Sequence, residues 1–547
     1  MERTLQELDS LADAYLFHLA EHDPVLCVRM GLPVESIPVA SIEEAEKRAG
    51  FAASVLERMD ALPPSASDDD TAGFLRALAE QEIEAARFYW LTPAATPYRL
   101  MDLSVYGDAV FAALAFEGPG DVDRYLELVR GLAGSVAGVA AKVAGQAARG
   151  IRVPAPALPG AIGTVERLRA SASRYVEVAE ERLGRLDRLT RARLRDDVAR
   201  LRDGELAIAF DRLLAVLNDP DYQRSAPEGV AWTLHDDGEE AYRSFVRVHT
   251  TPERLHELGR EQCDELAERM REARARLGFT GTESEFHDRL KAEPGVHAAS
   301  PEEVESRYLA YLERLRPLLP SWFSALPEAP YGVKRLDAAL EATLTFGYYQ
   351  LPTPGSPAGL YRYSASDLDS RSMLGAASLI YHELAPGHHF HLARQQENTS
   401  LPQLRRRLAP FTAFNEGWAE YAAGLGWEMG LYDDPWDAYG RLTQERFTAQ
   451  RLVVDTGLNL GTMTLDEARA FMRLHTTESE TQIATDTLRY CTDLPGQALT
   501  YRAGFLELTR LRREAAGVDV RAFHEAVLGG GCLPFPALRR RIARVIP

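Results

Sequence analysis

The sequence predicts a mainly α-helical fold with one small β-sheet. Apolar residues recur at helical spacing over most of the chain, as at Phe74, Leu75, Leu78, Ile83, Ala86 and Phe88. Helix-start signals head many of these patterns: Thr251-Pro252, Asp434-Pro435, and the capping box Thr464-x-x-Glu467. Alternating β-branched and aromatic residues are confined to two short runs, residues 343–349 and 360–363.

In chain order, residues 1–60 read as two amphipathic helices broken at Gly31-Leu32-Pro33, followed by a Pro/Ser/Asp loop over 63–70 and a helix over 72–92. Residues 126–148 form a helix rich in Gly and Ala, a composition that permits close packing. A long charged helical pattern covers 165–217 and stops at Asp219-Pro220-Asp221; its run Arg191-Ala192-Arg193-Leu194-Arg195 is a solvated face. Further helices cover 252–278 and 301–316. The two β runs precede a helix capped by Asp369-Ser370. Helical patterns then cover 410–430, 435 onward, and 478–517 with a break at Pro495-Gly496. A final helix covers 519–528, and a short one follows Pro536.

Composition excludes some partners. The 547 residues carry a formal net charge of −19, which argues against nucleic acid and anionic membrane surfaces. No run approaches the roughly 18 apolar residues of a membrane span. Charges near Met1 stand where a signal peptide needs an apolar run. The four cysteines, Cys27, Cys263, Cys491 and Cys532, form no C-x-x-C pair. A cytoplasmic protein with free thiols is expected.

The chemistry concentrates in residues 381–391, Tyr-His-Glu-Leu-Ala-Pro-Gly-His-His-Phe-His, which hold four of the thirteen histidines. A second cluster, Asn415-Glu416-Gly417-Trp418-Ala419-Glu420-Tyr421, follows. A catalytic zinc takes three His or carboxylate ligands and keeps a position for water, whose proton a nearby carboxylate removes. The short form is H-E-x-x-H on a helix. Here His388 is six positions after His382, about 120° away on an unbroken helix, and His389 is on the right face but about 10.5 Å further along. The helix must be interrupted, and Pro386-Gly387 can do that. A bulge of two residues at Ala385-Pro386 would put His388 where the second ligand belongs. His389 and His391 remain rivals for that role. The expected set is zinc held by His382, His388 and Glu416, with Glu383 as general base. Glu420, one turn after Glu416, either orients a ligand histidine or is a surface carboxylate.

His382-Glu383-x-x-Pro386-Gly387-His388-His389, followed by Glu416-Gly417-Trp418-Ala419, resembles a bacterial domain-of-unknown-function family, number 885, and is similar to zincin peptidases of the Glu-ligand type. The resemblance continues at residues 451–458, at Pro495-Gly496-Gln497-Ala498-Leu499-x-Tyr501-x-x-Gly504 and at residues 523–529. Upstream it includes Tyr242 and the run from His249 to Glu253. It covers residues 205–547, with Asn459 standing where the family usually has His and His391 where it has Gln. It implies a helical zincin-like metallopeptidase fold with its sheet beside the active-site helix. Residues 205–547 would be the catalytic region and 1–204 a helical region, a candidate lid.

Within the shared Pro-Gly-Gln motif, Tyr501 is the candidate oxyanion donor, with Tyr490 in reserve and core packing as the competing role. Arg451 either pairs with Asp455 at i,i+4 or holds a substrate carboxylate. Tyr361, on the second β run, either lines the substrate cleft or packs within the sheet. The free edge of such a strand can hold an extended peptide. The function expected is a zinc-dependent peptidase for short peptides. The alternatives are a non-catalytic metal- or peptide-binding protein on the same scaffold, or a hydrolase of non-peptide amides or esters. The sequence does not speak to the oligomeric state.

Overall fold

The computed structural model describes residues 2–246, 250–337, 341, 347–353, 355–366, 368 and 371–546. Helix accounts for 67% of the chain, beside a three-stranded sheet. The mainly helical expectation therefore holds. The predicted cap pair Asp369-Ser370, His249, and residues 343–346 of the first β run lie outside the described residues.

The chain opens with α1 (Glu2–His22), α2 (Pro24–Met30), α3 (Ile42–Asp60) and α4 (Asp70–Arg87). Two helices are predicted before residue 60, and three form. Asp23 starts the extra one by accepting from the amides of Val25 and Leu26, with Pro24 at the first helical position. Next comes α5 (Pro119–Ala148), long and apolar enough on average to cross a membrane, but half of its most apolar stretch is buried within the protein. It packs on α6 (Arg188–Leu201) and α7 (Ala207–Leu217) as a core helix. The continuous helix predicted over 165–217 is instead broken between residues 171 and 187.

Downstream, α8 (Pro252–Arg276) starts as predicted, with the Thr251 hydroxyl accepting from the amide of Arg254. After α9 (Pro301–Leu315) come β1 (Tyr331–Arg335), β2 (Tyr348–Gln350) and β3 (Gly359–Tyr363). Strand β3 is central, parallel to β1 and antiparallel to β2, so β2 is an edge. The sequence reading missed β1, whose Tyr-Gly-Val-Lys-Arg has only two alternating apolar residues, Tyr331 and Val333.

The site helices are α10 (Ala376–Glu383), α11 (His388–Glu397), α12 (Gln403–Arg407) and α13 (Thr412–Gly424). Behind them runs α14 (Pro435–Asn459), buried over most of its length and capped by Asp434. Then follow α15 (Leu465–His475), with the predicted capping box, α16 (Leu499–Glu514), α17 (Val520–Leu528) and α18 (Phe535–Val545). Helices α13 and α16 cross in direct backbone contact. A Cβ on Gly417 would lie 2.6 Å from the Cα of Gly504, and one on Gly504 would lie 2.3 Å from the carbonyl oxygen of Ala413. Only glycine permits that approach. It brings Glu416 of α13 to the same cleft as Tyr501 of α16.

Candidate metal centre

The helix carrying His382 stops where the sequence says it must. Its last amide bond runs from Leu384 to the carbonyl of Ile380, and α11 begins at His388. The interruption spans residues 384–387, four residues rather than the predicted two-residue bulge. Pro386 has no amide to continue the ladder, and its peptide bond with Ala385 is cis. At Gly387 the chain doubles back so closely that a Cβ would lie 1.8 Å from the carbonyl oxygen of His382. The Trp418 indole of α13 donates to the Pro386 carbonyl at 2.9 Å and ties the break to the helix carrying Glu416.

That geometry brings the predicted ligands together. His382 Nε2 and His388 Nε2 lie 3.4 and 3.3 Å from the same atom, Glu416 Oε2. His382, His388 and Glu416 each offer one ligand atom, all within 4.8 Å of one another. Glu416 Oε2 is buried and receives no hydrogen bond. A buried carboxylate oxygen with no donor is costly unless a cation meets it. Two imidazole nitrogens and one carboxylate oxygen are also the donor set that zinc takes. The residues therefore fit the expected metal. The electrostatics agree: burial would push His382 down, but Glu416 and Glu420 override it and hold its pKa up at about 10. Burial would likewise raise the Glu416 carboxyl, yet His388 and His382 hold it well below the carboxylate range. Positive charge is favoured here.

Glu420 is no surface carboxylate. It is 1% exposed, and its Oε1 lies 3.1 Å from His382 Nδ1, the ring nitrogen facing away from Glu416. Its other oxygen accepts from Arg441 Nη1 at 3.0 Å. Arg441, fully buried on α14, also donates to the Ser378 hydroxyl at 3.1 Å, to the Glu420 carbonyl at 3.1 Å, and to Glu445 at 3.1 Å. Burial would raise Glu420, but Arg441 and His382 bring it down to about 2. The Glu420 carboxylate thus stands behind the His382 ring, the place that carboxylate partners of metal-binding histidines occupy.

The remaining candidates separate into two groups. Glu383 stays at the site and lines the cleft with His382, His388, Glu416 and Tyr501. Burial pushes its carboxyl up, against the pull of His382 and His388. The Tyr501 ring stacks on His382 at 6.2 Å between centroids and 12° between planes. Burial raises its phenol well above the usual range, so it stays protonated at neutral pH.

Arg451 and Tyr361 are not on the cleft wall. Arg451 lies behind Tyr501, 4.8 Å from the ring centroid, and donates to the Tyr490 hydroxyl at 3.0 Å. Its expected partner Asp455 instead accepts from the Tyr242 hydroxyl at 2.7 Å, from Asn459, and from the Gly496 amide. Burial raises Asp455 to about 7 despite those donors. Tyr490 accepts from Arg451 and, unlike Tyr501, is not among the residues that line the cleft. Tyr361 is 4% exposed and meets Tyr308 edge to face at 5.8 Å. Its strand neighbours on β2, Tyr348 and Tyr349, line the cleft instead.

His389 is a structural histidine. Its Nδ1 lies 2.9 Å from the Tyr349 hydroxyl and its Nε2 lies 3.1 Å from the Ala329 carbonyl, and burial lowers it to about 4. His391 is buried 5.8 Å from the His388 ring, with neither nitrogen hydrogen-bonded. His388→Ala should lose zinc, while His389→Ala should keep it at some cost in stability. Metal analysis of the two purified variants checks this, and the reverse pattern would reassign the ligand.

The cleft measures about 1000 Å³. One wall is the metal centre with β2, and the other is built from α1, α2 and residues 105–106, so N-terminal helices face the site across the cleft. Sequence reading missed Arg441, which carries no local motif. It also missed Arg29, Arg406 and Arg407 on the cleft wall, although a three-arginine run between the two metal clusters of an acidic chain was a visible signal.

No curated protein matches the chain. Solved structures share its fold, among them the following two. A "putative lipoprotein" from Colwellia psychrerythraea is 23% identical over 99% of both chains, with a TM-score of 0.88. A "putative lipoprotein of unknown function" from Shewanella oneidensis is 16% identical over 98% of this chain and 99% of its own, with a TM-score of 0.72. At such identities the likeness speaks for fold alone. A model of bacterial proteins of unknown function, DUF885, matches residues 24–542, reaching well into the N-terminal helices that lie before the 205–547 stretch of the motif resemblance, and the chain belongs to that family.

Proposed function

We propose that this protein is a zinc-dependent peptidase of zincin-like type that acts on short peptides. The observation that carries the reading is the meeting of His382 and His388 on a donorless, buried Glu416 oxygen, with Glu383 beside them. A zinc ion held by these three residues would supply Lewis-acid polarisation and water acidified toward neutrality. Glu383 then accepts a proton from the attacking water and returns it to the departing amine nitrogen. Its raised pKa suits both tasks. Tyr501, protonated and stacked on His382, donates to the carbonyl oxygen as negative charge develops there. The edge of β2 that pairs with no described strand, beside the cleft, offers main-chain groups to an extended peptide. The N-terminal helices facing the site favour short substrates over folded ones.

Purified protein should contain stoichiometric zinc, and Glu416→Ala should lose most of it. A peptide library should be cleaved by the parent, spared after chelation, and cleaved again when zinc is returned. Full metal content in Glu416→Ala would place the third ligand elsewhere. A zinc-loaded parent that cleaves no peptide would favour the binding scaffold or a non-peptide substrate.

A further inference from the structure

The cleft holds an unneutralised basic cluster on a strongly acidic protein. Arg29 of α2 and Arg406 and Arg407 of α12 all line it. Among the described residues, none of the three meets a carboxylate. Arg29 donates to the carbonyl of Arg407 at 3.3 Å, and Arg407 donates to the Gln403 amide oxygen at 3.1 Å. The half-buried side chain of Arg406 meets no hydrogen-bond or ion-pair partner among the described residues. Their neighbours are committed. Arg48, on the same cleft, is held by Glu82 through two hydrogen bonds of 2.9 and 2.6 Å. Arg405 is buried against Thr71, the Gly530 carbonyl and Asp70. The acids lining the cleft are also spoken for: Asp23 caps α2, and Glu383 and Glu416 belong to the metal centre.

This segment is fastened to the site from two sides. Gln395 of α11 donates from one amide nitrogen to the carbonyls of Arg405 and Leu408, both at 2.7 Å. Asn415, adjacent to Glu416, donates to the Ala409 carbonyl at 2.8 Å. Gln395 is seven positions after His388, about 10.5 Å along the helix axis. That is the reach of about three extended residues. Guanidiniums gathered without counter-charge repel one another, and the arrangement becomes favourable when an anion joins them. Arginine's planar fork matches a carboxylate in particular.

We propose that Arg406, assisted by Arg29 and Arg407, binds a carboxylate of the substrate, and that the preferred substrates are short peptides bearing a free C-terminal carboxylate. This rests on the peptidase reading above. The test uses the zinc-loaded full chain and one peptide in three forms: free acid, C-terminal amide, and amide with an internal Glu. The free acid should be cleaved with a kcat/KM about 10- to 100-fold above the amide, the range of one charge-assisted hydrogen bond. In Arg406→Gln the preference for the acid over the amide should collapse, mainly through KM. Arg406→Lys should keep part of it, and added salt should erode it. If the internal-Glu amide recovers the rate, the carboxylate comes from a side chain and the recognition chemistry stands. Binding of the same peptides to zinc-loaded Glu383→Gln is measured in parallel by calorimetry. Equal binding and cleavage of acid and amide would overturn the proposal. Tighter binding of the acid without cleavage by the parent would sink the peptidase reading and leave the carboxylate site intact.

Discussion

Replacing Glu383 by Gln is expected to cut peptide turnover by about 10²–10⁴-fold, the usual contribution of a general base, while zinc and fold remain. Gln keeps the shape and hydrogen-bonding capacity of the side chain but cannot take a proton. The pH profile gives an independent reading. Burial raises the Glu383 carboxyl above its ordinary range. A base works only when deprotonated, so kcat/KM should be present above that raised value and fall as pH drops through it. This acidic limb should vanish in the variant. A Gln variant as active as the parent would remove Glu383 from the chemistry, and loss of zinc would make it a ligand.

Arg441→Met is the second large effect expected. The side chain is fully buried between Glu420 and Glu445, themselves 1% and 4% exposed. Removing one partner of a buried ionic cluster strands the rest, at a cost of about 3–5 kcal/mol. The deficit should depend on pH with a definite sign. Glu420 is depressed from 4.5 to about 2 in the folded protein, chiefly by Arg441 against the opposing effect of burial. A depressed carboxyl stabilises above its unfolded pKa and loses that contribution as pH falls through the folded one. The gap between parent and variant should therefore be full at pH 7 and shrink below about 4.5. Zinc affinity should also fall roughly 10–100-fold, because Glu420 would lose the arginine that holds it against His382. Denaturant melts and metal titrations read both effects. A variant as stable as the parent at pH 7 would show that the cluster is dispensable, and Glu420→Gln in the same background should recover part of any loss.

What could be read from the sequence was local. The break at Pro386-Gly387 forces His388 next to His382, and Glu420 follows Glu416 by one helical turn, so the positions brought together at the site were legible from spacing. Contacts between distant segments were not. Arg441 reaches Glu420 from the next long helix, and no periodicity announces it. The Arg451–Asp455 pairing failed because Asp455 is claimed by Tyr242 and the Gly496 amide, which come from other parts of the chain. Tyr361 failed for a related reason: strand alternation gives two faces but not which face meets a cavity. In β3 that face turns inward, and the edge strand supplies the tyrosines at the cleft.

The glycine contact between α13 and α16 divides the protein's tolerance for change. Two helices touching backbone to backbone have no room to slide, so the distance between Glu416 and Tyr501 does not drift as surrounding side chains vary. One wall of the cleft is thereby frozen, and with it the ligands and the groups around them. The opposite wall, built from α1, α2 and residues 105–106, has no such glycine contact with the helices that carry the candidate ligands. A chain diverging from this one can exchange the side chains on that wall, and so change what it admits, without touching the metal-binding geometry. The three candidate ligands and the residues that face them across the cleft lie on separate stretches of the sequence.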